Sequence, residues 1–353
     1  MTMEATELTY FSYAPFVQAS DAAGTLGSAS SPSFDNIEFA GFRLDVIRGS
    51  QTSLGVNVGL IDFKVAARHQ PIALSLDPDT RYQTMEGFGA SGAWYENNLR
   101  THDQRDALIE LLFVALDLDI YRLRNVFDQG TPETFSHYIN KIDRDAEIIA
   151  LAEAARQRPL KILMSGWSPP AYLKSNAETG NGGTLAKDAN GDYRYEDYAQ
   201  WWDDSLQYYA SAGIGIEPDY VSMQNEPNWT ATHDSNRLDL SESATIASYD
   251  LAFGAVWTKF NTRMGAAMPK MLGPETIALR KADEYIDSLS SVNRSRMYGY
   301  AHHLYQDDVY ANPDVLLSDM AAFQAGYGDK PIFQSEYAQL DDHQPTPWVR
   351  SYN

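Results

Sequence analysis

Two glutamates, each closing an apolar run, are the residues of this chain best placed to do chemistry. In Tyr220-Val-Ser-Met-Gln-Asn-Glu-Pro-Asn-Trp229 a β-prone stretch (Tyr220, Val221, Met223) stops at Asn225-Glu226-Pro227. Pro227 cannot donate to a sheet ladder and disfavours a helical residue before it, so a strand must end there, with Glu226 extended. Lys330-Pro-Ile-Phe-Gln-Ser-Glu-Tyr337 repeats the design and delivers Glu336. A single strand-end glutamate is usually an ordinary surface residue. Two of them, on parallel strands of one barrel, are the minimum equipment for hydrolysing a glycosidic bond, which needs one carboxyl that is protonated and one that stays ionised. The neutral amide of Asn225 suits Glu226 to the protonated role.

Glu336 then requires cations. Asp119-Ile-Tyr-Arg122-Leu-Arg124-Asn125 supplies two, spaced so that both side chains leave one face of a strand. Two arginines aimed into a barrel need carboxylate partners, and Asp119 or Asp128 are the alternative ones nearby. Gly166-Trp167-Ser-Pro-Pro170 begins where a strand should end; its prolines stiffen the loop, and Trp167 is either a sugar platform or a plug for the barrel top. Tyr300-Ala-His302-His303-Leu-Tyr305 places His303 and Tyr305 on one face, so that Tyr305 can donate to the nucleophile carboxylate. The adjacent histidines point oppositely and no third ligand is spaced to match, so no metal site is expected. Gly87-Phe-Gly-Ala-Ser-Gly92-Ala-Trp94 lacks the Lys-Ser/Thr of a phosphate loop and reads as a tight turn bringing Trp94 near a ligand. No Gly-x-Ser-x-Gly elbow supports Ser-His-Asp hydrolysis.

The elements that would position these residues alternate regularly. Strands are expected near 83–90, 118–125, 159–166, 218–225, 270–274, 297–304 and 331–336, with helices near 102–116, 142–157, 195–212, 242–264, 281–289 and 313–325. The first helix is expected to open on a capping box, Thr101 with Gln104, and to bury Leu108, Leu111, Leu112 and Ala115. Such alternation predicts an α/β fold, a (β/α)8 TIM barrel over 73–353, and no Gly-rich fingerprint favours a dinucleotide fold. Only seven units can be counted, so the barrel is expected to be incomplete at its C-terminal side. Residues 1–72 differ: short β-prone runs separated by Gly, Ser, Asn and Pro predict a small β-rich region, either a packing module or a piece of a carbohydrate-binding sandwich.

Composition narrows the partners. The 353 residues carry 27 basic and 48 acidic side chains, a formal net charge of -21, which disfavours nucleic acid and anionic membrane. No apolar run reaches the length of a transmembrane helix, and the opening residues lack the pattern of a secretory signal. With 0 Cys there is no thiolate metal site, disulfide or Cys nucleophile. An aromatic fraction of 12% suits a groove that stacks on sugar rings.

On Glu86-Gly-Phe-Gly-Ala90, Trp167-Ser-Pro-Pro-Ala171 with Lys174-Ser-Asn176 and Gly182-Gly-Thr-Leu185, Gln224-Asn-Glu-Pro227, His303-Leu-Tyr305 and Ser335-Glu-Tyr337, the chain resembles glycoside hydrolase family 30 over roughly residues 77–340. The resemblance implies a retaining β-glycosidase with Glu226 as general acid/base and Glu336 as nucleophile. It further implies Asn225 on the sugar 2-hydroxyl, Arg122 holding Glu336 ionised, and Trp167, His303 and Tyr305 lining the innermost subsite. No cofactor is implied, the partner is a β-linked oligo- or polysaccharide, and a monomer working outside the cell is expected. Among the family's substrates the acidic surface favours β-1,4-xylan over a lipid-borne glucosylceramide; β-1,6-glucan and galactan are the alternatives. A non-catalytic carbohydrate-binding barrel is the competing reading from another class. The family's barrel is normally closed by an eighth unit and a C-terminal β-sandwich, which this chain does not show.

Overall fold

The computed structural model describes residues 84–129, 141–305 and 313–337, together with a two-residue antiparallel pair, Thr2–Met3 against Ile72–Ala73. The chain divides into the unit Met85–Tyr337 and a second unit made of Met1–Thr84 with Ala338–Asn353. Apart from the short pair, the β-rich region expected over 1–72 lies outside the described residues, as does the sequence after Tyr337.

Alternating strands and helices build a seven-stranded, wholly parallel sheet. Its strands, in order, are β1 Gly89–Ser91, β2 Ile120–Arg124, β3 Lys161–Ser165, β4 Tyr220–Ser222, β5 Lys270–Thr276, β6 Gly299–His303 and β7 Ile332–Glu336. Each pairs in parallel with the next in sequence, and every connection between them carries at least one helix. The (β/α)8-type barrel is therefore present without an eighth parallel strand among the described residues.

Period-two alternation divides each strand between two environments. Ile120, Leu163, Tyr220, Leu272 and Ala301 form an apolar layer inside the barrel, with Phe333 and Tyr298 packed on it. Above them, toward the strands' C-terminal ends, the same faces carry Arg122, Ser165, Ser222 and His303, all buried. The opposite faces pack on the helices α3 Lys141–Arg156, α4 Tyr195–Tyr209 and α5 Tyr249–Met264. In α4 Tyr198, Trp201, Trp202, Ser205, Leu206 and Tyr209, among its buried residues, follow the three–four spacing of one helical face. Ser248 caps α5 by accepting from the Leu251 N–H, so this helix begins later than the expected 242. Three further helices lie later in the chain: α6 Ala282–Ser288, α7 Ser291–Arg296 and α8 Pro313–Tyr327. None of the described helices is long and apolar enough to cross a membrane.

The first expected helix is corrected. Two short helices, α1 Glu96–Arg100 and α2 Arg105–Glu110, precede a π-helical turn over Leu111–Ala115. The Thr101 hydroxyl donates back to the Asn97 carbonyl at 2.8 Å, and the Gln104 N–H is taken by His102 Nδ1 at 3.0 Å, so no capping box forms. The buried residues are Ile109 and Phe113, while Leu111 is exposed and Leu112 only half-buried. The wider turn rotates the apolar face away from the one a continuous α-helix would present.

Candidate active site

Glu226 and Glu336 meet at the C-terminal mouth of the barrel, where loop and strand-end residues of (β/α)8 proteins converge. The segment after β4 is rigidly held. The Asn225 N–H donates to the Gly166 carbonyl at 2.7 Å, and the Glu226 N–H to the Glu275 carbonyl at 2.9 Å. Trp229 N–H closes a turn on the Glu226 carbonyl at 2.9 Å. The extended backbone expected for Glu226 is not found: its φ is +46°, in the left-handed region. Such a conformation before proline costs on the order of 1–3 kcal/mol and persists because the flanking hydrogen bonds hold it.

Arg122 is the centre of the polar set. Its Nη1 binds Glu336 Oε2, its Nη2 lies 2.8 Å from Asn225 Oδ1 and 3.1 Å from Glu275 Oε1, and its Nε donates to Ser165 Oγ at 3.1 Å. Tyr305 donates to Glu336 Oε1 at 3.1 Å, as the shared strand face suggests. His303 Nδ1 lies 2.8 Å from Glu226 Oε1, with its Nε2 3.7 Å from Glu275 and 3.9 Å from Glu336. The two histidines part as expected: His302 turns outward to the ring of Phe323 on α8.

Glu275 is the member that sequence reasoning missed. It is fully buried at a bulge of β5, with φ +57°, between Arg122 and His303. Like the other two it is a glutamate near the C-terminal end of a strand, but its proline, Pro274, precedes it and gives no strand stop after it. Burial opposes its charge, but Arg122 and then His303 overcome that and hold its carboxyl down at about 2. Burial likewise works against Glu336, yet Arg122 and His303 keep its carboxyl below the ordinary value. Burial also disfavours the imidazolium of His303, but Glu336, Glu226 and Glu275 around it push its pKa up to about 9. Three carboxylates thus face one guanidinium and one imidazolium, and a single extra proton makes the set neutral.

Glu226, His303 and Glu336 each offer a ligand atom within 4.8 Å of the others, a spacing that can also surround a cation. Arg122 and the proton on His303 already compensate these carboxylates, so a metal ion would compete with both.

Two expectations are corrected. Arg124 does not serve Glu336; it is buried against Asp234, and neither arginine pairs with Asp119 or Asp128. Trp167 is only 3% exposed, with the Arg122 guanidinium 4.5 Å from its ring centre, so it plugs the barrel top rather than offering an open platform. Trp94, 41% exposed, stands edge-to-face against it at 6.3 Å. Other motif residues build loops. Lys174 donates to the carbonyls of Gly182 and Ser235, while Asn176 Nδ2 donates to the Gly180 carbonyl at 3.0 Å. Glu86 lies at the far end of the barrel, accepting from Tyr298 and Tyr220 at 2.6 and 3.0 Å.

No family model matches the chain. Among curated proteins it is 26% identical over 178 residues to a putative glucosylceramidase 1 of Caenorhabditis elegans, covering 44% of this chain and 32% of that protein. It is 30% identical over 170 residues to an endo-1,6-β-D-glucanase of Neurospora crassa, covering 42% of this chain and 35% of that protein. The chain spans about a third of the length of these curated relatives. Its fold is similar to the catalytic domain of GH30 xylanase C from Talaromyces cellulolyticus, with a TM-score of 0.53 and 18% identity over 75% of this chain and 61% of that one. The resemblance to glycoside hydrolase family 30 is borne out by these findings.

Proposed function

We propose that the chain is a retaining β-glycoside hydrolase in which Glu336 is the nucleophile and Glu226 the general acid/base. The observation that carries this is that one oxygen of Glu226 and one of Glu336 lie within 4.8 Å of each other, with Glu336 bound to Arg122. Retaining enzymes place their carboxyl groups about 5–5.5 Å apart, whereas inverting ones leave about 6.5–9.5 Å for a water. Glu336 attacks the anomeric carbon as the glycosidic bond breaks, and Glu226 gives its proton to the departing oxygen. Glu226 then takes a proton from water, whose oxygen displaces Glu336 and regenerates both groups. Arg122 and Tyr305 hold the nucleophile charged and oriented, and the Oδ1 of Asn225 is committed to Arg122, leaving its amide nitrogen as the donor for a sugar hydroxyl. Trp94 is an exposed aromatic available to a sugar face.

For substrate, a β-glucoside is favoured, because one curated relative is named a putative glucosylceramidase and the other an endo-1,6-β-D-glucanase. β-1,4-Xylan is the second reading, resting on the acidic surface, which suits a soluble polysaccharide. A panel of β-1,6-glucan, glucosylceramide and xylan separates the two. Glu336→Gln is expected to abolish turnover of the cleaved member. Azide added to Glu226→Ala should restore cleavage of an activated aryl glycoside; absence of rescue removes Glu226 from the acid/base role. Retention of sugars by the parent chain without products leaves the binding-barrel alternative standing instead.

A further inference from the structure

Arg124 is fully buried, yet it touches neither glutamate of the proposed mechanism. Its guanidinium lies 3.8 Å from the ring centre of Trp94 and 5.4 Å from that of Trp167, so it fills the angle between the two indoles. Asp234 holds it in place, and Asp234 is in turn fixed by the Thr179 hydroxyl at 2.9 Å. His233, next in sequence, stands edge-to-face on Trp94 at 5.6 Å. Three separate mouth loops, those after β1, β3 and β4, therefore meet on one guanidinium. A purely structural ion pair at such a site is weakly justified, since buried pairs are often replaceable by apolar side chains without loss of stability. A planar cation between two aromatic rings does something an apolar side chain does less well: it sets their mutual angle.

We propose that Arg124 is a positioning residue which, clamped by Asp234, orients Trp94 so that its exposed indole extends the sugar-binding wall beyond Trp167. This rests on the glycosidase reading for the identity of the ligand, a β-linked oligosaccharide longer than one unit. Glu226 and Glu336 take the ring at the scissile bond, and Trp94 serves the next one. Arg124 acts on the sugar through Trp94, whose ring it approaches more closely than that of the buried Trp167, so Arg124 and Trp94 must be energetically coupled.

The test measures binding of di- to hexasaccharides from β-glucan and xylan by calorimetry, in a Glu336→Gln background that prevents turnover. Arg124→Lys keeps the charge but not the planar stacking and is expected to weaken binding about tenfold. In a Trp94→Ala background the same substitution should change binding less than about twofold, the non-additivity that marks action through a shared partner. With Glu336 restored, Arg124→Lys should alter kcat/KM on an aryl monoglycoside by less than about threefold, because that substrate does not reach Trp94. Asp234→Asn, which preserves shape, is the second variant and should follow Arg124→Lys in direction should the latter fail to fold. Unchanged oligosaccharide binding in both variants overturns the proposal. So does a loss that persists undiminished without Trp94, or one equally large on the monoglycoside. A parent chain that binds oligosaccharides without cleaving them overturns only the proposed hydrolysis, whereas one that binds none overturns both.

Discussion

Glu275 illustrates how a single buried carboxylate conditions the groups around it. Arg122 would retain Glu336 and Asn225 without it, but His303 would lose one of the three carboxylates that hold its proton. Removing one partner from a buried charged set costs about 3–5 kcal/mol, because the remaining charge stays out of water. Since Arg122 keeps another carboxylate, Glu275→Gln is expected to lower stability by roughly 3 kcal/mol in denaturant unfolding. It should also lower the pKa of His303 itself, read by NMR titration of its imidazole, as His303 gives up its proton more readily. An unshifted titration would separate Glu275 from the proton on His303. At this scale the sequence was informative where chemistry is local. Glu226, Glu336, Arg122, Asn225, His303 and Tyr305 come together as their strand positions suggested. Glu275 escaped because a bulge next to a proline turns an otherwise ordinary strand residue inward.

Among the elements, α3 does more than cover the sheet. Lys141 in its first turn is 1% exposed and lies 3.1 Å from both Glu96 of α1 and Asp145. Asp145 accepts in turn from the Tyr121 hydroxyl at 2.9 Å, and Arg144 adds a second cation to Glu96. This cluster anchors the loop of Trp94 to the outer layer, since Glu96 follows Trp94 by two positions. Gly92 at the start of that loop lies so close to the Tyr121 hydroxyl that an added Cβ would sit 1.8 Å from it. Lys141→Met leaves Glu96 its Arg144 partner but takes the cation from buried Asp145, and should destabilise the protein by about 3 kcal/mol. Burial already pushes the Asp145 carboxyl up to about 6 against the opposing pull of Lys141. A carboxyl raised in the folded state is best tolerated while protonated, so the loss should be larger at pH 8 than at pH 5. A pH-independent loss in urea unfolding would assign the cost to packing alone. Element types were legible because apolar periodicity is local. The split of the first helix was not, because a π turn depends on how α2 meets β2 and α3.

For the whole molecule, the titration of two buried groups sets a pH window. His303 is raised from 6.5 to about 9, so its contribution is complete below about 6.5 and is lost as pH rises through 9. Glu275 is depressed from 4.5 to about 2, so its contribution is present above 4.5 and is lost as pH falls through 2. Both are intact between about pH 4.5 and 6.5. Unfolding temperature is expected to decline from the top of that window toward pH 9, by an amount equivalent to roughly 3 kcal/mol. His303→Asn should flatten this decline, and a decline that survives the substitution belongs to other groups. The net charge of -21 disfavours anionic partners at every pH in the window above the carboxylate range.

Sequence alone determined the parallel barrel type, the two strand-end glutamates and a pair of arginines on one strand face, because alternation, strand ends and strand-face spacing act within a few residues; which arginine reaches Glu336 was decided by the tertiary structure. Tertiary structure decided the rest: Glu275 as third carboxylate, Asp234 as the partner of Arg124, Trp167 closed beneath Arg122 and Trp94 left open. Each of these depends on which loops meet at the barrel mouth. Residues as distant in the chain as Arg124 and Asp234 become neighbours only when the sheet curves and brings its strand ends together.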